Sequence, residues 1–146
     1  MKYKQLEKKR LVLQKSHIHG WGLYTEELIH ANDFVLEYVG EIIHRQVAKR
    51  RYARCGIGGG HFLFRVEYDT IIDSTKKGNK ARFINHCCAP NCSVKVIVVD
   101  NQKKVVIYAI RDIEPGEEIT YDYRTSIELN QFHCLCGSKF CKGMIK

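Results

Sequence analysis

RFINHCCAPNC, residues 82–92, combines three cysteines, an Asn-His pair and a Pro-Asn turn within eleven positions. Groups of these kinds form disulfides, bind metal ions or take part in catalysis. The whole chain has seven cysteines, an odd number that argues against a framework built only of disulfides. The first ten residues, MKYKQLEKKR, lack the apolar core of a secretory signal, so we expect an intracellular protein with reduced thiols. Metal binding is therefore the favoured interpretation of the cysteines.

The cysteines near the C-terminus have the spacing of a metal site. In HCLCGSKFCKG a C-x-C-x4-C pattern is formed by Cys134, Cys136 and Cys141. A structural zinc ion takes four ligands in a tetrahedron, so one more thiolate is needed. Three cysteines of the opening stretch can supply it: Cys87, Cys88 and Cys92. The pattern predicts that one of them ties the C-terminal tail back onto the domain, whereas Cys55, alone in a Gly-rich region, is expected to bind no metal.

Composition and charge limit the class of protein. With 146 residues, 45% of them hydrophobic and 27% charged, the chain is expected to form one packed domain. No apolar run approaches the ~20 residues that cross a bilayer, so no membrane partner is expected. The net charge is +8, and basic residues cluster in the first ten positions and in KRRYAR, residues 49–54. These clusters favour either contact with nucleic acid or simple solubility.

Short β-rich segments separated by turns dominate the chain. Strands are predicted in RLVLQKS (10–16), DFVLEYVGEI (33–42), HFLFRVEYDTIIDST (61–75) and SVKVIVVDNQKKVVIYAI (93–110). The third segment resembles a hairpin, and the fourth is expected to turn over four polar residues, Asp100-Asn101-Gln102-Lys103. The fold class expected from these patterns is mainly β.

Helical periodicity is limited to two places. The spacing of Ile43, Val47, Arg50 and Arg51 predicts one amphipathic helix over IIHRQVAKRRYA, residues 42–53. It is expected to end before the Gly-rich stretch GIGGGH. A second, short helix is expected from Lys80 to Ile84.

Four further segments contain side chains suited to a binding or catalytic site: HGWG (19–22), EYVGE (37–41), RFINH (82–86) and ITYDY (119–123). Each is ordinary when taken alone. The two glycines of HGWG would let a ligand approach the backbone, but such a pair is as often a plain turn. Tyr121 and Tyr123 would face the same side of a strand, which is also what a half-buried structural strand shows.

In this order the segments resemble those of the SET-domain protein-lysine methyltransferases. The resemblance extends from about Leu11 to Met144 and includes GWG, YVGE, RFINHCC-x-PNC, EEITYDY and the C-x-C-x4-C tail. Within that family the chain is most similar to the trithorax and COMPASS-type enzymes, which methylate histone H3 on its fourth lysine. The stretches GIGGGHFLFRV, NHCCAPNC and CLCGSKFCKG carry this finer likeness.

The resemblance implies a fold and a division of the chain. The fold consists of small curved sheets with a knot-like active site, one amphipathic helix and a C-terminal post-SET zinc segment. Residues 1–10 would form a basic N-terminal arm, residues 11–126 the SET domain, and residues 127–146 the post-SET segment.

The resemblance also implies roles for individual residues. Matches to the family's cofactor contacts are His19, Gly20, Trp21, Phe62, Asn85, His86 and Tyr123. Matches to its post-SET zinc ligands are Cys88, Cys134, Cys136 and Cys141. Tyr123 matches the catalytic tyrosine, Tyr121 the position that limits how many methyl groups fit, and Tyr38 a tyrosine that lines the lysine channel. Phe62 differs from relatives, which usually carry there a tyrosine that touches the cofactor.

The implied activity is methyl transfer from S-adenosylmethionine to a lysine of the histone H3 tail, with the fourth lysine as the expected target. One structural zinc ion, nucleosomes, a WD-repeat scaffold, adaptor subunits and location in the nucleus on chromosomes follow from the same resemblance. Three acidic residues are expected near a groove for the basic tail: Glu67, Asp69 and Asp73. Two alternatives stay open, a non-catalytic SET-like module that binds chromatin or a partner, and a methyltransferase of a non-histone lysine.

Overall fold

The computed structural model describes residues 8–55, 62–123 and 132–145. Within these ranges the chain forms small sheets and two short helices, which confirms the expected mainly β fold. The strands are β1 (Leu11–Lys15), β2 (Trp21–Thr25), β3 (Phe34–Glu37), β4 (Glu41–His44), β5 (Leu63–Arg65), β6 (Thr70–Asp73), β7 (Asn85–His86), β8 (Cys92–Val99), β9 (Gln102–Ala109), β10 (Thr120–Tyr121), β11 (Phe132–His133) and β12 (Met144–Ile145). The helices are α1 (Arg45–Cys55) and a 3-10 helix (Lys80–Phe83).

Some predictions concern parts of the chain outside this description. They are the basic arm before residue 8, the Gly-rich loop at 56–60, the Cys55 side chain and the boundary between residues 126 and 127. Of the helices in the described ranges, none is long and apolar enough to cross a membrane.

Strands β8 and β9 form a long antiparallel hairpin. Their register pairs Cys92 with Ala109 and Val99 with Gln102, so only Asp100 and Asn101 connect them. Both residues have positive φ, 51° and 62°, which Asp and Asn tolerate and which suits the twist of the flanking strands. The predicted hairpin is confirmed. The predicted four-residue turn is wrong, because the residues after Asn101 already belong to β9.

The amphipathic helix begins later than the periodicity predicts. Ile42 and Ile43 belong to β4 and pair with Ile72 and Ile71 of β6, so α1 starts only at Arg45. β-Branched side chains favour the pleated sheet, and this pairing with a distant strand decides the conformation. The short helix predicted near residue 80 is confirmed as a 3-10 helix from Lys80 to Phe83.

A close approach of two chain segments divides the predicted strand DFVLEYVGEI into β3 and β4. These two strands belong to different sheets, β3 beside β9 and β4 beside β6. At Gly40, between them, a Cβ atom would lie 2.6 Å from the Ile72 Cγ2 atom and 2.7 Å from the Asp73 carbonyl oxygen. Only glycine fits at this distance, so the chain can change sheets here and bring Tyr38 into the core.

The core joins all the larger sheets. Fully buried aliphatic residues include Leu23 of β2, Val35 of β3, Ile84 after the 3-10 helix, Ile107 of β9 and Ile119 before β10. Each such side chain contributes about 1.5–3 kcal/mol when it leaves water. A smaller cluster around Ile43 packs α1 against the β4-β6-β5 sheet. The shared core therefore fixes the relative positions of segments that are far apart in sequence.

Replacing Ile107 with alanine is expected to lower the free energy of unfolding by about 2–5 kcal/mol, because it leaves a cavity among residues that cannot close it. Urea denaturation measures the change. Val98→Ala on the neighbouring strand is the matched control: Val98 is 67% exposed, so a loss below about 1 kcal/mol is expected. Equal losses in the two variants would contradict this assignment of the core.

Candidate active site and metal centre

Two short strands bring the predicted site segments together. β7 and β10 run parallel, with Asn85 beside Thr120 and His86 beside Tyr121. The backbone N–H of Cys87 extends the pairing by donating to the Tyr121 carbonyl at 3.2 Å. The segments RFINH and ITYDY, which are 35 positions apart where Asn85 pairs with Thr120, thus form one surface.

Aromatic rings line this surface. The ring centroids of Tyr121 and Tyr123 are 5.0 Å apart, which agrees with the prediction that both phenols face one side. Phe64 of β5 lies between Tyr121, at 6.3 Å, and Tyr38, at 5.1 Å. Tyr38, Phe64 and Tyr121 are all buried. The sequence did not single out Phe64, although its place in the alternating run FLFRV predicts one side chain facing the core.

Tyr123 holds its hydroxyl group in a defined orientation. The hydroxyl donates to the Ile84 carbonyl, and the Tyr123 backbone N–H donates to His86 Nδ1 at 3.0 Å. Burial raises the pKa of Tyr123, and the nearby Tyr38 and Glu118 raise it further. Burial also raises the pKa of Tyr38 to about 12. Both groups are therefore neutral phenols at physiological pH, and the Tyr123 oxygen keeps lone pairs that can accept a hydrogen bond.

The His86 imidazole connects this tyrosine to the cysteines. Because Nδ1 accepts the Tyr123 N–H, the proton of the neutral ring lies on Nε2, which is 3.4 Å from Cys88 Sγ and donates to it. The side chain is buried, and both ring nitrogens are engaged within the protein. Any contact of His86 with a cofactor therefore has to use its backbone.

Asn85 fixes the loop that contains HGWG. Its Nδ2 atom lies 3.1 Å from the His19 carbonyl oxygen, 3.1 Å from the Trp21 carbonyl oxygen and 2.8 Å from Glu118 Oε1. All three partners are acceptors, so the amide nitrogen must face them and Oδ1 must face away. Gly20 has a positive φ of 48° and open space beside it. Trp21 is 55% exposed, so its ring lies outside the core.

Phe62 lies at the edge of the described part of this region. Its ring packs edge-on against Phe83 at 5.9 Å, and the Arg82 guanidinium lies 5.6 Å from its centroid. Arg82 is anchored by donating Nη1 hydrogen bonds to the carbonyls of Ser74 and Thr75. The position predicted to touch a cofactor thus has a phenyl ring held by apolar and cation–π contacts.

Four sulfur atoms form a cluster that can hold a metal ion. They belong to Cys88, Cys134, Cys136 and Cys141, and all lie within 4.8 Å of one another. The Cys88 and Cys134 Sγ atoms are 3.7 Å apart, close to the edge of about 3.8 Å in a tetrahedron with Zn–S bonds of about 2.3 Å. Backbone N–H groups of Lys142 and Gly143 donate to Cys88 and Cys141 sulfur. The donor set fits zinc.

The structure distinguishes Cys88 from the other two candidates for the fourth ligand. Cys92 is buried in β8, and burial raises the pKa of its thiol to about 12. Cys87 is half-buried, lies outside the four-sulfur cluster and accepts the Ala89 N–H. Although burial opposes it, N–H donors from the backbone of Cys88 and Ser138 and the neighbouring thiols lower the pKa of Cys136 to about 6. Burial raises the pKa of Cys134 in the same cluster, so Cys136 is the thiol whose ionisation the surrounding groups favour.

The expected acidic groove is not formed by Asp73. This residue is only 5% exposed and accepts a hydrogen bond from Arg51 Nη1 at 2.9 Å. Although burial opposes it, hydrogen bonds from Thr75 and Arg51 lower the pKa of Asp73. Asp73 is therefore an internal partner of α1 and unavailable to a peptide. Glu67 pairs with Lys103, and Asp69 pairs with His44.

Cys88→Ser is expected to remove the metal. Elemental analysis of the purified wild-type chain should give one zinc ion, whereas the variant should contain little and should unfold roughly 10 °C lower, a loss of a few kcal/mol. Cys87→Ser, one position away, is the control and should retain its zinc. Full zinc content in the Cys88 variant would refute this ligand assignment.

Comparisons with known proteins agree with this geometry. The SET domain family model matches residues 20–124. The chain is 55% identical over 138 residues to histone-lysine N-methyltransferase set1 of Dictyostelium discoideum, covering 92% of this chain and 9% of that protein. It is 51% identical over 150 residues to human histone-lysine N-methyltransferase SETD1A, covering 99% and 9%. An H3 lysine-4 specific histone-lysine N-methyltransferase of Aspergillus oryzae is 50% identical over 153 residues, covering 99% and 12%.

The chain thus spans about a tenth of the length of these curated relatives. The family model nevertheless covers most of it, including the paired strands, the aromatic rings and Cys88. On these grounds the chain belongs to the SET domain family, and it is similar over nearly its whole length to the histone-lysine N-methyltransferases of the Set1 type.

Proposed function

We propose that this chain transfers a methyl group from S-adenosylmethionine to a lysine of the histone H3 tail, with the fourth lysine as its target. The observation that carries the proposal is the half-buried Tyr123 phenol, oriented by the Ile84 carbonyl beside the rings of Tyr121, Phe64 and Tyr38. The proposed specificity for the fourth lysine rests on relatives of the chain, one of which is named as H3 lysine-4 specific.

The aromatic wall suits the chemistry of a lysine nucleophile. The amine must lose its proton before it can attack, although its unperturbed pKa is ~10.4. Rings of Tyr38, Phe64 and Tyr121 would exclude water from the side chain, and desolvation lowers the pKa of an amine. The amine can then lose its proton to water as it enters, so no carboxylate base is required. The bound cofactor supplies the methyl group on a positively charged sulfonium.

Tyr123 orients the amine in this mechanism. Its hydroxyl proton is engaged by the Ile84 carbonyl, so its oxygen can accept from the lysine N–H and from polarised C–H groups. Alignment of reacting groups is worth up to ~7–11 kcal/mol in favourable cases. Tyr121 is packed between Phe64 and Tyr123, which supports the proposal that it limits the number of methyl groups.

The cofactor would be held by the HGWG loop and its neighbours. Asn85 offers Oδ1, and the backbones of His19, Gly20 and His86 offer further polar groups. The exposed Trp21 ring offers an apolar face. Phe62 would contribute contact area only, and the absence of a hydroxyl at this position costs about 0.5–1.5 kcal/mol relative to a tyrosine that makes one hydrogen bond.

Zinc would join the C-terminal tail to the site. Cys88 follows His86 by two residues, and its sulfur accepts a hydrogen bond from His86 Nε2. Metal binding at Cys88 would therefore support the imidazole ring that binds the Tyr123 backbone N–H. We therefore assign residues 11–126 to the SET domain and residues 127–146 to a post-SET segment that completes one wall of the cofactor pocket. Loss of zinc should weaken cofactor binding as well as stability.

The proposal extends to partners and location. A histone substrate implies work in the nucleus on chromosomes, with a WD-repeat scaffold and adaptor subunits as the expected partners.

The exposed residues of α1 lie on one helical stripe, with spacing i, i+3, i+4, i+7 and i+8: Gln46, Lys49, Arg50, Ala53 and Arg54. The stripe carries three cations and no anion, whereas Arg51 is neutralised by Glu41 and Asp73. Such a face suits DNA phosphates.

Incubation of a histone H3 tail peptide with the chain and S-adenosylmethionine is expected to add the mass of one CH₂ group or more, measured by mass spectrometry. The gain should disappear when the fourth lysine of the peptide is alanine.

Tyr123→Phe should slow transfer about 100-fold or more, because the amine loses its orienting acceptor. The unsatisfied Ile84 carbonyl should also cost about 1–3 kcal/mol of stability.

The control variant for this experiment is Tyr68→Phe, which removes the hydroxyl of an exposed tyrosine and should leave the rate unchanged. A gain on both peptides would move the target to another lysine. An unchanged rate for Tyr123→Phe would remove this residue from the mechanism. No gain on either peptide, together with no binding of S-adenosylmethionine, would leave the non-catalytic binding module as the function.

Neutralising Lys49, Arg50 and Arg54 with glutamine is expected to weaken binding to duplex DNA. The slope of log K against log salt concentration should become shallower by about 2–3, since each lost phosphate contact removes about 0.9. Fluorescence anisotropy with a labelled duplex measures the slope. A control variant with Lys76, Lys95 and Lys103 changed to glutamine removes the same charge from other exposed positions. Equal slopes for the two variants would contradict the assignment to α1.

A further inference from the structure

The Glu118 carboxylate lies where three segments of the chain meet. Ser16 Oγ donates to it at 2.7 and 2.9 Å from the two carboxylate oxygens, and the Tyr24 hydroxyl donates at 3.2 Å. Asn85 Nδ2 donates to Oε1 at 2.8 Å. A Cβ atom at position 22 would lie only 2.3 Å from Oε1, so Gly22 is what allows the carboxylate to lie here. Glu118 belongs to the EEITYDY motif, whose pattern alone predicts no role for it.

The same carboxylate holds the HGWG loop from two directions. Ser16 Oγ accepts hydrogen bonds from the backbone N–H groups of Ile18 and His19, at 2.9 and 3.4 Å, and its hydroxyl donates a hydrogen bond to Glu118. Asn85, also bound to Glu118, donates to the carbonyls of His19 and Trp21. Four backbone groups of the loop are therefore two hydrogen bonds from Glu118, whereas the Gly20 carbonyl is held separately by the Ser16 backbone N–H at 2.7 Å.

The partners of Glu118 are all neutral. Ser16, Tyr24 and Asn85 donate hydrogen bonds but carry no charge, and no Lys, Arg or His within residues 8–55, 62–123 and 132–145 forms an ion pair with Glu118. The neighbouring Glu117, in contrast, pairs with Arg111 at 3.0 Å. Glu118 is half-buried, so water screens it incompletely. Within the described part of the chain, Glu118 thus directs a negative charge at the loop without a cationic partner.

The Glu118 charge affects the pKa of two tyrosines, Tyr24 and Tyr123. Tyr24, hydrogen-bonded to the carboxylate, has a raised pKa, for which burial is the largest cause and the Glu118 charge the next. Glu118 also contributes, after burial and Tyr38, to the raised pKa of Tyr123. The carboxylate therefore acts on the group that orients the lysine as well as on the loop.

We propose that Glu118 is a positioning residue for the methyl donor and supplies the negative charge that favours the cationic donor over its neutral product. This inference rests on the proposed methyl transfer. In that reaction the lysine nitrogen lone pair forms the N–CH₃ bond while the S–CH₃ bond breaks and its electron pair stays on sulfur. The sulfonium becomes a neutral thioether, and the attraction of Glu118 for the sulfur centre is lost. The carboxylate would favour donor binding and product release together.

A purely structural role for Glu118 predicts a different outcome. If the residue only shapes the loop, its replacement should weaken the donor and the product by the same factor, because both share the adenosine and amino acid parts. If its charge matters, the two affinities should separate. The ratio of the two dissociation constants is therefore the quantity to measure.

Glu118→Gln is the variant of choice, because the amide keeps an oxygen for Asn85 and an N–H that Ser16 can accept. Isothermal titration calorimetry with S-adenosylmethionine and S-adenosylhomocysteine gives both dissociation constants without turnover. We expect the donor to bind at least about threefold more weakly and the product to change less than about twofold. Glu117→Gln removes a charge one residue away, beside Arg111, and should leave the ratio unchanged.

A second variant keeps the test valid if the first folds poorly, as judged by its melting temperature and zinc content. Glu118→Asp retains the charge on a shorter side chain, so it should preserve the ratio of the two constants even where both affinities fall. An unchanged ratio in Glu118→Gln, or a changed ratio in Glu118→Asp, overturns the electrostatic role. Failure of the wild-type chain to bind either compound would instead overturn the proposed function, and this inference with it.

Discussion

The parallel contact between β7 and β10 is the constraint on which the site depends. A pairing of two residues per strand has little stability of its own, so it needs support from outside the strands. Asn91 provides it: Thr120 N–H donates to Asn91 Oδ1 at 2.9 Å, Asn91 N–H donates to Thr120 Oγ1, and Asn91 Nδ2 donates to the Glu118 carbonyl. All these groups are buried or nearly so, where an unpaired polar atom would be costly. The RFINHCCAPNC segment is therefore held at both ends against β10.

From this contact, hydrogen bonds extend in two directions. On one side Asn85 and Glu118 hold the HGWG loop through backbone carbonyls and Ser16. On the other side His86 joins the Tyr123 backbone to the sulfur cluster at Cys88. Both branches end close to Tyr123, because Asn85 follows Ile84, whose carbonyl accepts the Tyr123 hydroxyl, and His86 accepts the Tyr123 backbone N–H. The four-sulfur cluster and the HGWG loop are thus parts of one hydrogen-bonded arrangement.

Charge is distributed unevenly between the surface and the site. The chain has a net charge of +8, and α1 carries a stripe of cations on its exposed face. The interior of the site contains neutral phenols, an amide and a neutral imidazole, with Glu118 as a carboxylate among neutral donors. A basic surface suits nucleosomal DNA, whereas a site of low polarity suits a neutral lysine amine. The two requirements are met by different elements of the same small fold.

Much of the fold and several parts of the site could be predicted from the sequence alone. Alternating and β-branched residues predicted the strands, the Asp-Asn pair marked the hairpin, and the order of the HGWG, EYVGE, RFINH and ITYDY segments predicted the SET domain. The spacing of three cysteines predicted a metal site but left the fourth ligand open. The strand, hairpin and cysteine patterns are local, since each depends on residues within about ten positions of one another, whereas the order of the four segments extends over residues 19–123.

Only the tertiary structure decided the rest. It placed the Cys88 sulfur in one cluster with the three tail cysteines, a choice that the cysteine spacing left open and that the family resemblance implied. It placed Ile42 and Ile43 in a strand rather than a helix, because β6 offered a partner. It buried Asp73 against Arg51, and it placed Glu118 against Gly22 and Asn85. Each of these outcomes depends on a partner distant in sequence, and a helical or alternating pattern contains no information about which distant segment will lie beside it.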